Sequence, residues 1–495
     1  RGFRILVGGG LGRTPIIVMD RFHELDLVIQ VSRDLGIRPH IGVRAKLAAK
    51  GAGRWVESGG DRSKFGLTAD ELIETVDRLR KENMLDCLEL MHFHVGSQIT
   101  NIRAIRDAVK EATRFYVGLV EMGAGLKYLD VGGGLGVDYD GSQTNFQSSM
   151  NYTNLEYARD VVATVGEACD EKGIPHPDIV TETGRAMVAH HSVLIFNVLG
   201  VNQVLPKAAP VAPSDDDHKV VHELFEAYQS ISRKNVIEAY HDAVSAKEEA
   251  LTLFNLGYLD LKTRGRCERL FWACCEKILR VVREMDYVPE ELEGLERAMA
   301  DTYYGNFSVF QSAPDHWAVK QLFPTMPIHR LDQKPTRRGV FADLTCDSDG
   351  KVDLFIDRRD VKHVLELHPL DQEPYFIGIF LVGAYQEILG DLHNLFGDTD
   401  AVHVRLGEND RIEIEHLVEG DSVEEVLGYV QYSKAELVER ARRAIEIALR
   451  EKRITVEESA RLRRRYEQGL SGYTYLEVEE SDQQIQARQS RVAGG

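Results

Sequence analysis

An α/β fold whose N-terminal part is an incomplete parallel β/α barrel is what this 495-residue sequence predicts. Three observations carry that reading. Over residues 1–190, apolar strand-like runs alternate with amphipathic helical ones, the signature of a parallel sheet with crossover helices. Four short motifs fall where strands end: Arg44, His94-Val95-Gly96-Ser97, Asp130-Val131-Gly132-Gly133-Gly134 and Glu182-Thr183-Gly184-Arg185. In a β/α barrel the strand C-termini all open on one mouth, where active sites are built. Finally, only five or six strands precede a change of character near residue 205, whereas a barrel needs about eight.

The elements follow in order. Phe3–Val7 and Ile16–Met19 are short apolar runs, and residues 21–35 read as a helix with Leu25, Leu27, Val28 and Val31 on or near one face. Strands are expected near 40–45, 87–94, 127–131 and 178–182, with helices near 69–83, 101–122 and 154–173. Thr68 and Glu71 fit a capping box opening the first of these helices. This partial barrel is expected to occupy 1–190, and a strand at 190–203 to begin a β-domain over 191–205. Pro206, Pro210 and Pro213 then break the pattern, and Asp215–Asp217 is a solvated acidic run. Residues 219–300 look helical in about four segments, an inserted bundle within 206–300. GVFADLTCD, KVDLFI, YFIGIFLVG, AVHVRL and RIEIEH give a β-domain over 301–420, and 421–480 is a charged, amphipathic helical region. The polar tail 481–495 is expected to be disordered.

Composition narrows the function. At 43 % apolar and 28 % charged residues the chain is a soluble globular protein of two to four domains. No apolar run reaches the ~20 residues that span a bilayer, so no membrane role is expected. A net charge of -19 argues against nucleic acid as partner, because phosphate contact needs an excess of Lys and Arg. The six cysteines form no C-x-x-C pair and no disulfide framework, which points to the cytoplasm.

Each motif has a chemistry and a plainer reading. Gly132, Gly133 and Gly134 let backbone N–H groups turn toward a phosphate, or simply make a tight turn. Glu182 beside Gly184 and Arg185 could pair with a ring cation, or with the arginine alone. His94 could stack on a flat ring and Ser97 hold a phosphate oxygen, though a satisfied core histidine is commoner. His92 lies two residues earlier, but no third metal ligand follows at useful spacing. Cys346-Asp347 in TCDSDG could deliver a proton and hold a cation, or be plain turn chemistry. Tyr385 in VGAYQ is by itself more often core than ligand.

Together the stretches GVRAKLA, SKFGL, HFHVGSQ, LDVGGGLGVDYDG, TETGRAMVAHH, NFSVFQS, TCDSDG, GAYQEILGDLHNLFGDT and GYTYLE resemble the pyridoxal phosphate (PLP)-dependent decarboxylases of the alanine-racemase-like fold. Among these the resemblance is to the biosynthetic arginine decarboxylases, which the inserted and C-terminal helices also match. It implies decarboxylation of L-arginine to agmatine and CO₂, a step of polyamine biosynthesis. It further implies that Gly132, Gly133, Gly134, Ser97, Gly184 and Arg185 lie at the PLP phosphate, with Tyr385 touching it. Glu182 would pair with the pyridine nitrogen, His94 stack on the ring and Arg44 lie beside the cofactor. Cys346 would reprotonate the product carbon and Asp347 bind the substrate guanidinium, both in a partner's site. That makes a homodimer or dimer of dimers with shared active sites. Mg²⁺ is associated with such enzymes, but the sequence shows no ligand cluster for it.

Two departures set further expectations. No lysine here carries the motif of the family's Schiff-base lysine, so the chain is expected to be truncated at its N-terminus and not competent as written. Residues 2–15 instead resemble a piece of a sirohaem-dependent nitrite or sulfite reductase. A non-catalytic fragment, or a decarboxylase of ornithine, lysine or another basic amino acid, remain the competing readings.

Overall fold

The structure is a computed structural model that describes residues 14–49, 60, 63–204, 209–285, 288–357, 360–371 and 373–477. Phe3–Val7, most of the reductase-like stretch, Pro206 and the tail 481–495 lie outside the described residues.

Strands β1 (Ile17–Met19), β2 (Ile41–Arg44), β3 (Leu88–His92), β4 (Tyr128–Asp130) and β5 (Asp178–Val180) form one all-parallel sheet in chain order. Crossover helices α1 (Glu24–Leu35), α2 (Ala69–Lys81), α3 (Ile102–Glu121) and α4 (Asn154–Lys172) separate them. Central strands of a parallel sheet are covered on both faces, and β3 has all five residues buried, the polar Glu89 and His92 included. Helix α3 buries Ile105, Val109, Ala112, Tyr116 and Leu119, a stripe at helical spacing. Full capping boxes start α2 (Thr68, Glu71) and α4 (Thr153, Glu156). The α/β fold is as expected. The strand expected at 178–182 is shorter, because the chain leaves the sheet after Val180 and turns into a five-residue helix, α5 (Gly184–Val188).

Two further units complete the protein. Helices α6 (Lys219–Ser230), α7 (Val236–Asn255) and α8 (Leu261–Val282) pack around their own core. Ala239, Ala243, Ala246 and Ala250 make α7 thin on its buried side. Two one-turn helices, Glu290–Glu293 and Leu295–Ala298, bring this stretch to five segments rather than four. The β-domain is a seven-stranded sheet of β6 (Val193–Asn202), β7 (Asp301–Gly305), β8 (Thr325–Pro327), β9 (Arg337–Ala342), β10 (Lys351–Val352), β13 (Leu365–Leu367) and β14 (Phe376–Phe380). Strands β11 (Phe355–Asp357) and β12 (Asp360–Lys362) pair apart from it. β15 (Ala401–Leu406) and β16 (Ile412–Val418) also form a separate hairpin.

The expected strand KVDLFI is thus two strands, β10 and β11. The strands at 301–305, 325–327, 360–362 and 365–367 were not anticipated. DTYYG is short and mixed in polarity, yet β7 sits between β6 and β9 with Tyr303 fully buried. Three helices, Val423–Tyr429, Lys434–Arg450 and Val456–Leu470, close the C-terminal region. Among the described residues no helix is long and apolar enough to cross a membrane.

Leu129 in β4 is wholly buried at the centre of the parallel sheet, whereas Val162 on α4 is 59 % exposed. Leu129→Ala should destabilise this unit by about 2–5 kcal/mol, and Val162→Ala by less than about 0.5 kcal/mol. Urea unfolding followed by circular dichroism reads both, and equal shifts in midpoint would contradict the assigned core.

Candidate active site

The sheet register puts the four motifs on one level. Arg44 at the end of β2 pairs with His92 of β3, His92 with Asp130 of β4, and Asp130 with Val180 of β5. Beyond that row the chain leaves each strand on the same side. After β4, Gly132 turns at φ +66 and Gly134 at φ +101, conformations open to glycine but strained for other residues. A Cβ on Gly132 would meet the Phe93 carbonyl oxygen at 2.3 Å, and one on Gly134 the Gly96 carbonyl oxygen at 2.7 Å. The turn is therefore a cradle that no side chain can fill.

Its hydrogen bonds tie the motifs together. Gly133 N–H donates to His94 Nδ1 at 3.2 Å, and Glu182 N–H donates to the Gly132 carbonyl at 2.9 Å. Asp130 Oδ1 accepts from Gly132 N–H at 2.9 Å. Arg185, only 5 % exposed, donates through Nε and Nη2 to Ser97 Oγ at 3.2 Å and through Nη1 to Tyr139 Oη at 2.9 Å. The Tyr385 ring lies 4.7 Å from the Arg185 guanidinium carbon. Gly184 opens α5 immediately before Arg185. Arg44 stacks over Phe65 at 4.4 Å and reaches Asp20 at 3.4 Å.

Burial shapes the charges. It lowers the pKa of Arg44, offset in part by Asp20 and Glu182. It also lowers that of His94, with the Arg44 charge adding to the effect. His94 is thus held as the neutral imidazole at neutral pH, its Nδ1 3.7 Å from Glu182 Oε2. Glu182 departs from expectation. It is not a buried strand carboxylate: it lies past the end of β5 with 54 % of its side chain exposed, open to a ligand.

Cys346 and Asp347 take no part in the contacts described above. Cys346 is exposed, and Asp347 accepts from Asp349 N–H and pairs with His393 Nε2 at 3.0 Å, both within the C-terminal half of the chain. Those two partners, the backbone bond first, lower the pKa of Asp347 and keep it charged.

Spacing along the chain missed three things. Tyr139, an Arg185 partner, gave no signal in VDYDG. Asp130 looked like the end of a strand and not a ligand of the loop. Third partners for His92 do exist, because Asp130 comes from the neighbouring strand and Glu182 from the segment just past β5, all three offering atoms within 4.8 Å of one another.

The site suits a phosphate, with a side-chain-free glycine turn beside a hydroxyl and a guanidinium. A carboxylate and a neutral imidazole stand at its other end. These residues fit PLP.

The lowered His94 pKa has a consequence for stability. Below about pH 6.5 the unfolded chain protonates this histidine more readily than the folded one, so its share of stability falls as pH falls. Between about pH 7.5 and about pH 5.5 the wild type should therefore lose more urea resistance than His94→Phe. Equal losses would refute a neutral His94.

Comparison with known proteins places the chain in a family. The family model described as "Pyridoxal-dependent decarboxylase, pyridoxal binding domain" matches residues 11–189. "Arginine decarboxylase helical bundle domain" matches 214–296, and "Arginine decarboxylase C-terminal helical extension" matches 423–476. The biosynthetic arginine decarboxylase of Nostoc sp. is 59 % identical over 94 % of this chain and 68 % of its own length. That of Gloeobacter violaceus is 57 % identical over 95 % and 74 % respectively. The crystal structure of the biosynthetic arginine decarboxylase from Campylobacter jejuni superposes with a TM-score of 0.79 at 33 % identity, over 96 % of this chain and 76 % of that one. Helicobacter pylori diaminopimelate decarboxylase, 16 % identical with a TM-score of 0.52 over 83 % of this chain and 72 % of that one, shares the fold. This chain belongs to the biosynthetic arginine decarboxylases, a family of pyridoxal-dependent enzymes.

Proposed function

We propose that the protein decarboxylates L-arginine to agmatine and CO₂ with PLP as cofactor. The observation that carries this reading is the meeting, at one rim, of the Ser97–Arg185 donors, the glycine turn and the His94–Glu182 pair. Ser97, Arg185 and the N–H of Gly134 would hold the phosphate in the turn that Gly132 and Gly133 shape, with Gly184 and Tyr385 flanking it. Glu182, exposed at the strand end, would hold the pyridine nitrogen protonated. His94 would stack on the ring and, being neutral, would add no charge against that cation. Arg44 would border the ring. Bound PLP supplies an electron sink for the pair left when the carboxylate departs.

Cys346 would return a proton to the product carbon, and Asp347 would pair with the substrate guanidinium. A charged carboxylate suits that bidentate contact. We assign both to the site of a second copy, in a homodimer or dimer of dimers, because Cys346 is exposed and Asp347 bonds within its own turn and to His393, with no contact to the residues of the glycine turn among those described. We assign no role to Mg²⁺. The trio His92, Asp130 and Glu182 includes an imidazole, which suits transition ions better than magnesium. All six cysteines are free thiols, and we place the protein in the reducing cytoplasm.

In a version that carries the family's Schiff-base lysine, carboxyl-labelled arginine, ornithine and lysine offered as competitors should release label chiefly from arginine, with agmatine formed. Preference for another amino acid would replace the substrate assignment. Asp347→Asn should raise KM about tenfold to hundredfold with a smaller change in kcat. Cys346→Ala should slow turnover and misdirect protonation while PLP stays bound, and loss of PLP would contradict its role. Gly132→Ala should abolish PLP binding, read by cofactor absorbance, because its Cβ collides with backbone.

A further inference from the structure

His92 and Asp130 are each only 8 % exposed, and neither is needed to touch a ligand. They are register partners on adjacent strands, with His92 Nδ1 3.0 Å from Asp130 Oδ2. That nitrogen is fully buried and makes no hydrogen bond, so the imidazole packs against the carboxylate. The other carboxylate oxygen, Oδ1, accepts from Gly132 N–H. One buried carboxylate therefore divides its two oxygens between a strand neighbour and the first turn of the glycine loop. Desolvating a carboxylate is costly, and such a group persists where its partners fix it.

The chain of contacts runs on from there. Gly132 held by Asp130 brings Gly133 N–H onto His94 Nδ1, and presents its own carbonyl to Glu182 N–H. A nitrogen that accepts a backbone N–H carries no proton, so the neutral His94 ring is the Nε2–H tautomer. The ring plane, its tautomer and the start of the Glu182 segment thus all depend on how Gly132 is held.

We propose that Asp130, backed by His92, is a positioning residue: it sets the orientation and tautomer of His94 through the glycine turn. This rests on the reading of the rim as a PLP site, but its first test does not need the cofactor. In the full chain with ¹⁵N-labelled histidine, His94 is assigned by the signal that His94→Gln removes. The wild type should show an unprotonated Nδ1 and a protonated Nε2. Asp130→Ala should mix the two tautomers. Asp130→Asn keeps an acceptor at Oδ1 and should restore the wild-type nitrogens. PLP binding, titrated by absorbance, should weaken about tenfold to hundredfold in Asp130→Ala and recover in Asp130→Asn.

Unchanged His94 nitrogens in a folded Asp130→Ala would overturn the inference, whether or not PLP binds. Should that variant not fold, Asp130→Glu keeps the charge and displaces the acceptor by one methylene. It is expected to disturb the tautomer, and wild-type nitrogens there would equally overturn the inference. Failure of the wild type to bind PLP, with the nitrogen pattern as expected, would instead overturn the PLP reading and leave the positioning role standing.

Discussion

The register of the parallel sheet is the constraint on which the site depends. Arg44, His92, Asp130 and Val180 fall in one row because each strand pairs in chain order with the next. Parallel pairing then obliges all the following segments to leave on the same side. Residues some ninety positions apart, such as Ser97 and Arg185, come within hydrogen-bonding reach without any long loop folding back. A one-residue slip in any strand would turn its side chains to the opposite face and take its motif out of the row.

The two rims of this sheet are built differently. At the N-terminal rim a buried carboxylate, Glu89, bridges His40 and Lys127, both at 2.7 Å, locking β2, β3 and β4 together. At the C-terminal rim the ties are the glycine turn's backbone groups, the Asp130 carboxylate that holds them, and the Arg185–Ser97 pair, which leave room for a guest. Rigidity at one end and an open, polar surface at the other is the division of labour expected of β/α barrel architecture. The β-domain enters this scheme through Tyr139, which packs in its apolar cluster beside Phe323 and bonds Arg185.

What could be read from the chain followed from how local the cause was. Helices α1 to α4 show in the spacing of apolar residues, and the capping box at Thr68 is a four-residue pattern. The glycine turn was legible because its positive φ angles demand glycine. Glu182 misled, since an apolar run says nothing of where pairing stops, and the strand ends two residues earlier. Strand β7 was invisible because its neighbours β6 and β9 make it a strand, and they lie distant in sequence. Asp130, His92 and Tyr139 act across strands and domains, where linear spacing carries no signal.

The distribution of sulfur has a practical side. Five of the six thiols are buried, and burial pushes Cys267 up to about 11 and Cys274 and Cys275 up to about 12. Nucleophilic attack requires a thiolate that solvent can reach. A maleimide dye would therefore find one address on this protein, Cys346, next to a carboxylate, and leave the helical bundle's buried sulfurs untouched. Fluorescence from that lone tag would register whatever comes to lie against this turn.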